Sequence, residues 1–152
     1  MNNNKYKKTG EKAVAYFNEG FNCAESTLLA LADFLEIECK YFPKVAGGFG
    51  GGIGKHGEIC GALSGAIMAL GIVFGREEAR DREGKDNMYN KTDRFIQKVK
   101  KEFGYTRCRD LTGCDMLTPE GQKRMKEQNI HDKICSKLVA FGVEEASKLM
   151  KK

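Results

Sequence analysis

Gly47–Gly75 reads GGFGGGIGKHGEICGALSGAIMALGIVFG, and its two halves demand different backbones. Gly47, Gly48, Gly50, Gly51, Gly52, Gly54 and Gly57 crowd the first half, and no charge appears between Cys60 and Arg76. Glycine tolerates positive φ and lets other groups approach the backbone closely, so the first half predicts an irregular loop. From Cys60 onward, Ala62, Ala66, Ala69 and Val73 recur at helical spacing, with Gly61 and Gly65 one turn apart beside them. A glycine inside a helix costs about 1 kcal/mol relative to alanine. Two of them predict a central helix that passes very close to something: another helix, or a group held by Cys60.

Other readings of this stretch fail on context. Gly52, Gly54 and Gly57 match GxGxxG, but no β-branched strand precedes them, and the dinucleotide fingerprint requires one. Gly54-Lys55 resembles part of a P-loop, yet Phe49 and His56 occupy positions that need glycine and a hydroxyl residue. The uncharged run is short for the ~17–25 residues of a membrane span, and it is rich in glycine. Membrane insertion is therefore not expected.

Length and composition point the same way. A chain of 152 residues with 41% hydrophobic residues and two prolines predicts one helical domain with a real core. The N-terminal MNNNKYKKTGEK has no apolar segment of the signal-peptide kind, which places the protein in the cytoplasm. Thiols there are normally reduced. Six cysteines then favour redox chemistry or metal binding over structural disulfides. The net charge of +5 is spread along the chain with acids interspersed, so a nucleic-acid partner is not expected.

Working outward from the central helix, residues 1–9 read as a flexible N-terminus. Residues 10–20 read as a short amphipathic helix that ends at Gly20. Asn22 and Glu25 form a capping-box pair for a second helix running to about Glu36. Pro43 starts a short helical turn ahead of the glycine loop. Residues 76–85 read as an exposed linker or the frayed start of a helix. Met88, Thr92, Phe95, Val99 and Phe103 mark a helix from about Asp86, closed by Gly104. Thr106 caps a turn from Arg107 to Leu111, and residues 115–131 read as a loop with room for one helical turn. Asp132 caps a last helix with Leu138, Val139, Gly142, Ala146 and Leu149 facing inward. The expected architecture is an all-α bundle of about five helices.

These boundaries place Cys23, Cys60, Cys108 and Cys135 in or near the first turn of a helix. Unpaired N–H groups and the helix dipole there favour an anion, and thiol pKa values fall at such positions. No Cys-x-x-Cys occurs, so any shared site is assembled by tertiary packing. Cys39 and Cys114 fall outside the set, Cys39 as small apolar filler. His56, four residues before Cys60, is a candidate base or ligand, though a loop histidine is more often exposed; His131 is the weaker candidate. No Ser-His-Asp set or carboxylate pair supports hydrolysis.

Gly20-Phe21-Asn22-Cys23-Ala24, Cys60-Gly61-Ala62-Leu63-Ser64-Gly65, Cys108-Arg109-Asp110-Leu111 and Cys135 together resemble the C_GCAxxG_C_C family. These are small bacterial proteins described as redox-active, with a CGAxxG motif. The resemblance runs from about residue 10 to 149 and carries the family's four cysteines onto Cys23, Cys60, Cys108 and Cys135. Cys114 competes with Cys108 for the third place.

Three functions follow as expectations. The first is a thiol-dependent oxidoreductase with Cys60 as nucleophile and Cys23, Cys108 or Cys135 resolving, exchanging with a redox partner protein or a small thiol or disulfide. The second is electron transfer through an iron–sulfur cluster on the same four thiolates, with Gly61 and Gly65 making room for it. Zinc would accept the same sulfur set. The third is a scaffold whose cysteines only pack. The Gly61–Gly65 face is also a candidate homodimer contact.

Overall fold

The computed structural model describes residues 3–151, and the element order is all-α. Five longer helices form the bundle: α1 (Asn3–Glu19), α2 (Cys23–Phe34), α3 (Gly61–Phe74), α4 (Arg82–Phe103) and α7 (Ser136–Leu149). Two short ones, α5 (Cys108–Thr112) and α6 (Pro119–Glu127), lie between α4 and α7. A 3-10 turn spans Lys44–Phe49, and a π-helical turn, His131–Cys135, runs directly into α7. No described helix is long and apolar enough to cross a membrane.

α3 is central, packing against α2, α4 and α7. Every residue from Gly61 to Ala66 is buried, as are Ala69 and Leu70. Val73, expected on the inner stripe, is instead exposed together with Ile72 as the last turn leaves the core. The two motif glycines explain the contact with α2. A Cβ on Gly65 would lie 2.5 Å from the Ala24 carbonyl oxygen, and one on Gly61 would lie 2.3 Å from Cys23 Sγ. Leu28, Leu31, Leu63, Leu70, Phe95, Val99, Leu138, Val139 and Val143 fill the core around this crossing.

The ends of the bundle depart from expectation in three places. The flexible segment expected over 1–9 is helical from Asn3; residues 1 and 2 lie outside the described residues. Tyr6, Thr9 and Gly10 extend the Ala13–Phe17 stripe back by two turns, and one continuous stripe docks on α7. The linker expected over 76–85 is shorter, because Asp81 accepts from the Gly84 N–H and starts α4 at Arg82. The loop expected over 115–131 contains α6, with Thr118 as cap and Pro119 in its first turn. Proline is favoured there because its missing N–H is unpaired in any case. α6 escaped detection because its outer faces are polar and no apolar stripe marks it.

A four-cysteine cavity at the start of the central helix

Asn22 builds one wall. Its side chain accepts from the Glu25 N–H at 2.8 Å, Glu25 returns the bond to the Asn22 N–H, and Cys23 becomes the first residue of α2. The Asn22 amide also donates to the Gly47 carbonyl at 3.1 Å, tying the glycine loop to this helix start. The loop then runs through left-handed φ at Gly51 (+65°) and Gly52 (+69°). A Cβ on Gly52 would meet Glu58 backbone at 2.6 Å and Cys108 Cβ at 2.7 Å. Only glycine satisfies both the φ and the contact.

A short antiparallel pairing sets the next two cysteines side by side. Cys60 N–H donates to the Thr106 carbonyl at 2.9 Å and Cys108 N–H to the Glu58 carbonyl at 2.7 Å, around a single bridge between Ile59 and Arg107. Cys60 is the N-cap of α3 and Cys108 the first residue of α5. Cys135 arrives differently from the expected third position of a freshly capped helix. It closes the π turn that leads into α7, and Asp132 pairs with His131 Nδ1 at 3.0 Å instead of capping. π turns inside helices are frequent at functional sites.

Cys23, Cys60, Cys108 and Cys135 all line one cavity of about 160 Å³. Phe17, Leu111, Met116, Met125 and Leu138 make most of the remaining wall, with Thr112, His131 and Gly51. All six cysteines are free thiols. Among the described residues, no three His, Cys, Asp or Glu side chains converge on one position suited to a single ion. The sulfurs surround a space rather than a point. A larger hollow of about 520 Å³, lined by Lys5, Lys8, Lys12 and Asp33, is open to solvent and holds none of these groups.

The electrostatics reverse the expectation of low thiol pKa values. Burial pushes the Cys60 thiol well up, with Cys23, Cys108 and Cys135 adding repulsion against its thiolate. Burial likewise raises Cys23, although N–H groups of Gly51, Ala24 and Gly61 act the other way on its sulfur. Burial first, then the neighbouring cysteines, push Cys108 up to about 11 and Cys135 up to about 12.

The remaining candidates separate clearly. His56 is exposed outside the cavity wall, and its carbonyl accepts from Arg109 at 3.4 Å. Cys39 lies apart, in the segment after α2. Cys114 is buried next to α5, outside the cavity lining, with its thiol donating to the Thr112 carbonyl at 3.4 Å. Gly61 and Gly65 are not part of the cavity lining; Gly65 makes room for the α2 backbone, and Gly61 for the Cys23 sulfur and the Ala24 backbone. Sequence reasoning passed over Thr112 and ranked His131 last, yet both line the cavity, His131 stacked on Phe17 with ring centroids 3.8 Å apart. The signal was present. Thr112 is four residues after Cys108 and His131 four before Cys135, one helical turn in each case.

A helical bundle in which four cysteines, Cys60 and Cys108 buried and Cys23 and Cys135 partly so, share one cavity defines a class of cysteine-centred proteins, and comparison with known families agrees. Residues 21–149 match the family described as "Putative redox-active protein (C_GCAxxG_C_C)". The chain belongs to that family. A protein of Archaeoglobus fulgidus, described as uncharacterized, is 32% identical over 129 residues, covering 79% of this chain and 85% of the relative. No solved structure matches the chain.

Proposed function

We propose that the protein transfers electrons through an iron–sulfur cluster held by Cys23, Cys60, Cys108 and Cys135. The observation that carries this reading is the convergence of four thiols, from four separate elements, on one largely apolar cavity. Four thiolates are the usual ligand set for such clusters, and a polynuclear group suits sulfurs that enclose a space better than a single zinc does. Thiol–disulfide exchange fits less well, because a buried thiol with a raised pKa is a poor nucleophile.

The chain's own groups have distinct tasks under this reading. The cysteines release protons as they become ligands, so loading is pH-dependent. Backbone N–H groups of Gly51, Ala24 and Gly61 favour a thiolate at Cys23, and that of Ala62 a thiolate at Cys60, so they would offset ligand charge. Phe17, Leu111 and Leu138, with both methionines, exclude water. The bound group would supply one-electron transfer to a partner protein.

Anaerobic purification followed by visible absorption and analysis for iron, zinc and sulfide tests the reading. The expected result is a coloured protein with iron and sulfide, lost in Cys60→Ser. Colourless, iron-free protein, prepared beside a control that assembles its cluster, would refute it; stoichiometric zinc would indicate a structural site instead.

A further inference from the structure

The cavity has one wall that is built differently from the rest. Asp115–Gln128, which includes α6, joins the segment bearing Cys108 to the turn bearing Cys135. Its polar contacts are mostly its own. Thr118 Oγ1 donates to the Asp115 carbonyl at 2.8 Å, Gln122 to the Met116 carbonyl at 3.0 Å, and the Leu117 N–H to Asp115 Oδ1 at 3.1 Å. α6 buries only Gly121 of its nine residues, which presses on the Asp115 backbone. The helix pairs that share extended contacts do not include α6.

An ion pair and two methionines tie this segment to the body of the protein. An exposed ion pair joins Asp115 to Arg109 at 3.6 Å, and Met116 and Met125 reach into the cavity. Anchors bound the segment on both sides, Cys114 and Ile130 being 2% and 5% exposed. A unit that packs on itself, touches its surroundings through few buried groups and is held between two buried anchors belongs to the low-stability end of a structure.

We propose that Asp115–Gln128 is a strap that opens as a unit between the fixed anchors Cys114 and Ile130, and that its opening gives reagents access to the buried thiols of the four-cysteine cavity. The proposal rests on the cavity as the working site and not on what the cavity holds. For a cluster, the passing species would be iron and sulfide; for an exchange reaction, a small thiol or disulfide. Met116 and Met125 are the removable part of the wall, flexible side chains that cover one side of the cavity when the strap is down.

The test is thiol labelling of the metal-free, full-length protein with N-ethylmaleimide at fixed pH. Rates for each cysteine are read by mass spectrometry across urea concentrations below the unfolding transition, alongside amide hydrogen exchange. The strap opening predicts that the cavity cysteines label with a shallow urea dependence shared by the amides of 115–128. Cys114, buried outside the cavity, should label only with the steep dependence of global unfolding. The double variant Met116→Ala/Met125→Ala should raise the cavity rates by roughly tenfold or more and leave Cys114 unchanged. Cavity thiols that share the steep dependence of Cys114 would overturn the proposal. So would strap amides that open without the thiols, or a double variant with wild-type rates. None of these readings depends on iron, so failure here is distinct from failure of the cluster.

Discussion

Replacing Gly61 or Gly65 by alanine separates two consequences of the same close crossing. At Gly65 the new Cβ would lie 2.5 Å from the Ala24 carbonyl oxygen and 3.0 Å from Thr27 Cβ. Backbone on the facing helix cannot turn aside, so α2 and α3 must separate. Overpacking of this kind costs about 1–3 kcal/mol, and the alanine recovers up to about 1 kcal/mol of helix propensity. A net loss of up to about 2 kcal/mol lowers Tm by up to roughly 8 °C in a chain of this size. At Gly61 the nearest obstacle is Cys23 Sγ, the end of a side chain that can rotate, and the backbone atoms Ala24 N and Phe49 O stand farther off at 3.0 Å. The sulfur must move by about 1 Å to reach ordinary contact distance. Gly61→Ala is therefore expected to melt closer to wild type while holding much less iron and sulfide, whereas Gly65→Ala melts low and loads in proportion to its folded fraction. Gly142→Ala is the control, because its Cβ would stand 3.3 Å from the nearest atom, the Ala62 carbonyl oxygen. Circular-dichroism melts of the metal-free proteins and iron and sulfide per chain give the comparison. A Gly65→Ala protein more stable than wild type, or a Gly61→Ala protein that loads fully, would refute the crossing geometry.

Two further outcomes follow from the site. Cys114→Ser should bind iron as wild type does while Cys108→Ser should not, since only Cys108 lines the cavity and serine can keep the hydrogen bond to Thr112; equal loss in both variants would make Cys114 a ligand. The metal-free protein should lose stability as pH rises above about 9, which urea midpoints between pH 8 and pH 11 will show. Cys108 and Cys135 ordinarily titrate near 9.0 but near 11 and 12 when folded, so in that window the unfolded chain has shed protons that the folded chain keeps. A midpoint that stays level or rises with pH would count against buried protonated thiols.

Local signals carried most of the fold. The Asn22–Glu25 capping box, Gly104 at the end of α4, and the apolar stripe from Met88 to Phe103 each have a short-range cause and appear where the pattern places them. The errors arose where a local signal was overruled. Gly10 reads as a helix start, yet it lies inside α1, where an added Cβ would meet the Ala140 carbonyl oxygen at 3.0 Å; it is there for contact with α7. The π turn at His131–Cys135 has no sequence signature of its own, and missing it hid His131 from the site. The pairing of Glu58–Cys60 with Thr106–Cys108 joins residues dozens of positions apart, which no periodicity reports.

The thiol pKa values were misjudged for a reason that bears on mechanism. A helix N-terminus favours a charge by about 0.3–1 kcal/mol, and up to about 2 kcal/mol in partly buried geometries. At 1.36 kcal/mol per unit, that lowers a thiol by at most about 1.5 units. Full burial raises an acid by up to about 3–5 units. With Cys60 and Cys108 buried and their neighbours also sulfur, burial wins, and the cavity stores protons instead of thiolates. Under the proposed reading, metal ions within the cavity would supply the positive charge that such a site lacks: the repulsion among the thiolates would be offset, and the N–H groups around Cys23 would act with the metal instead of against burial. The helix starts that are too weak to ionise a thiol unaided would then have thiolates to stabilise, which is the purpose this reading gives to the recurring placement of Cys23, Cys60 and Cys108 at helix beginnings.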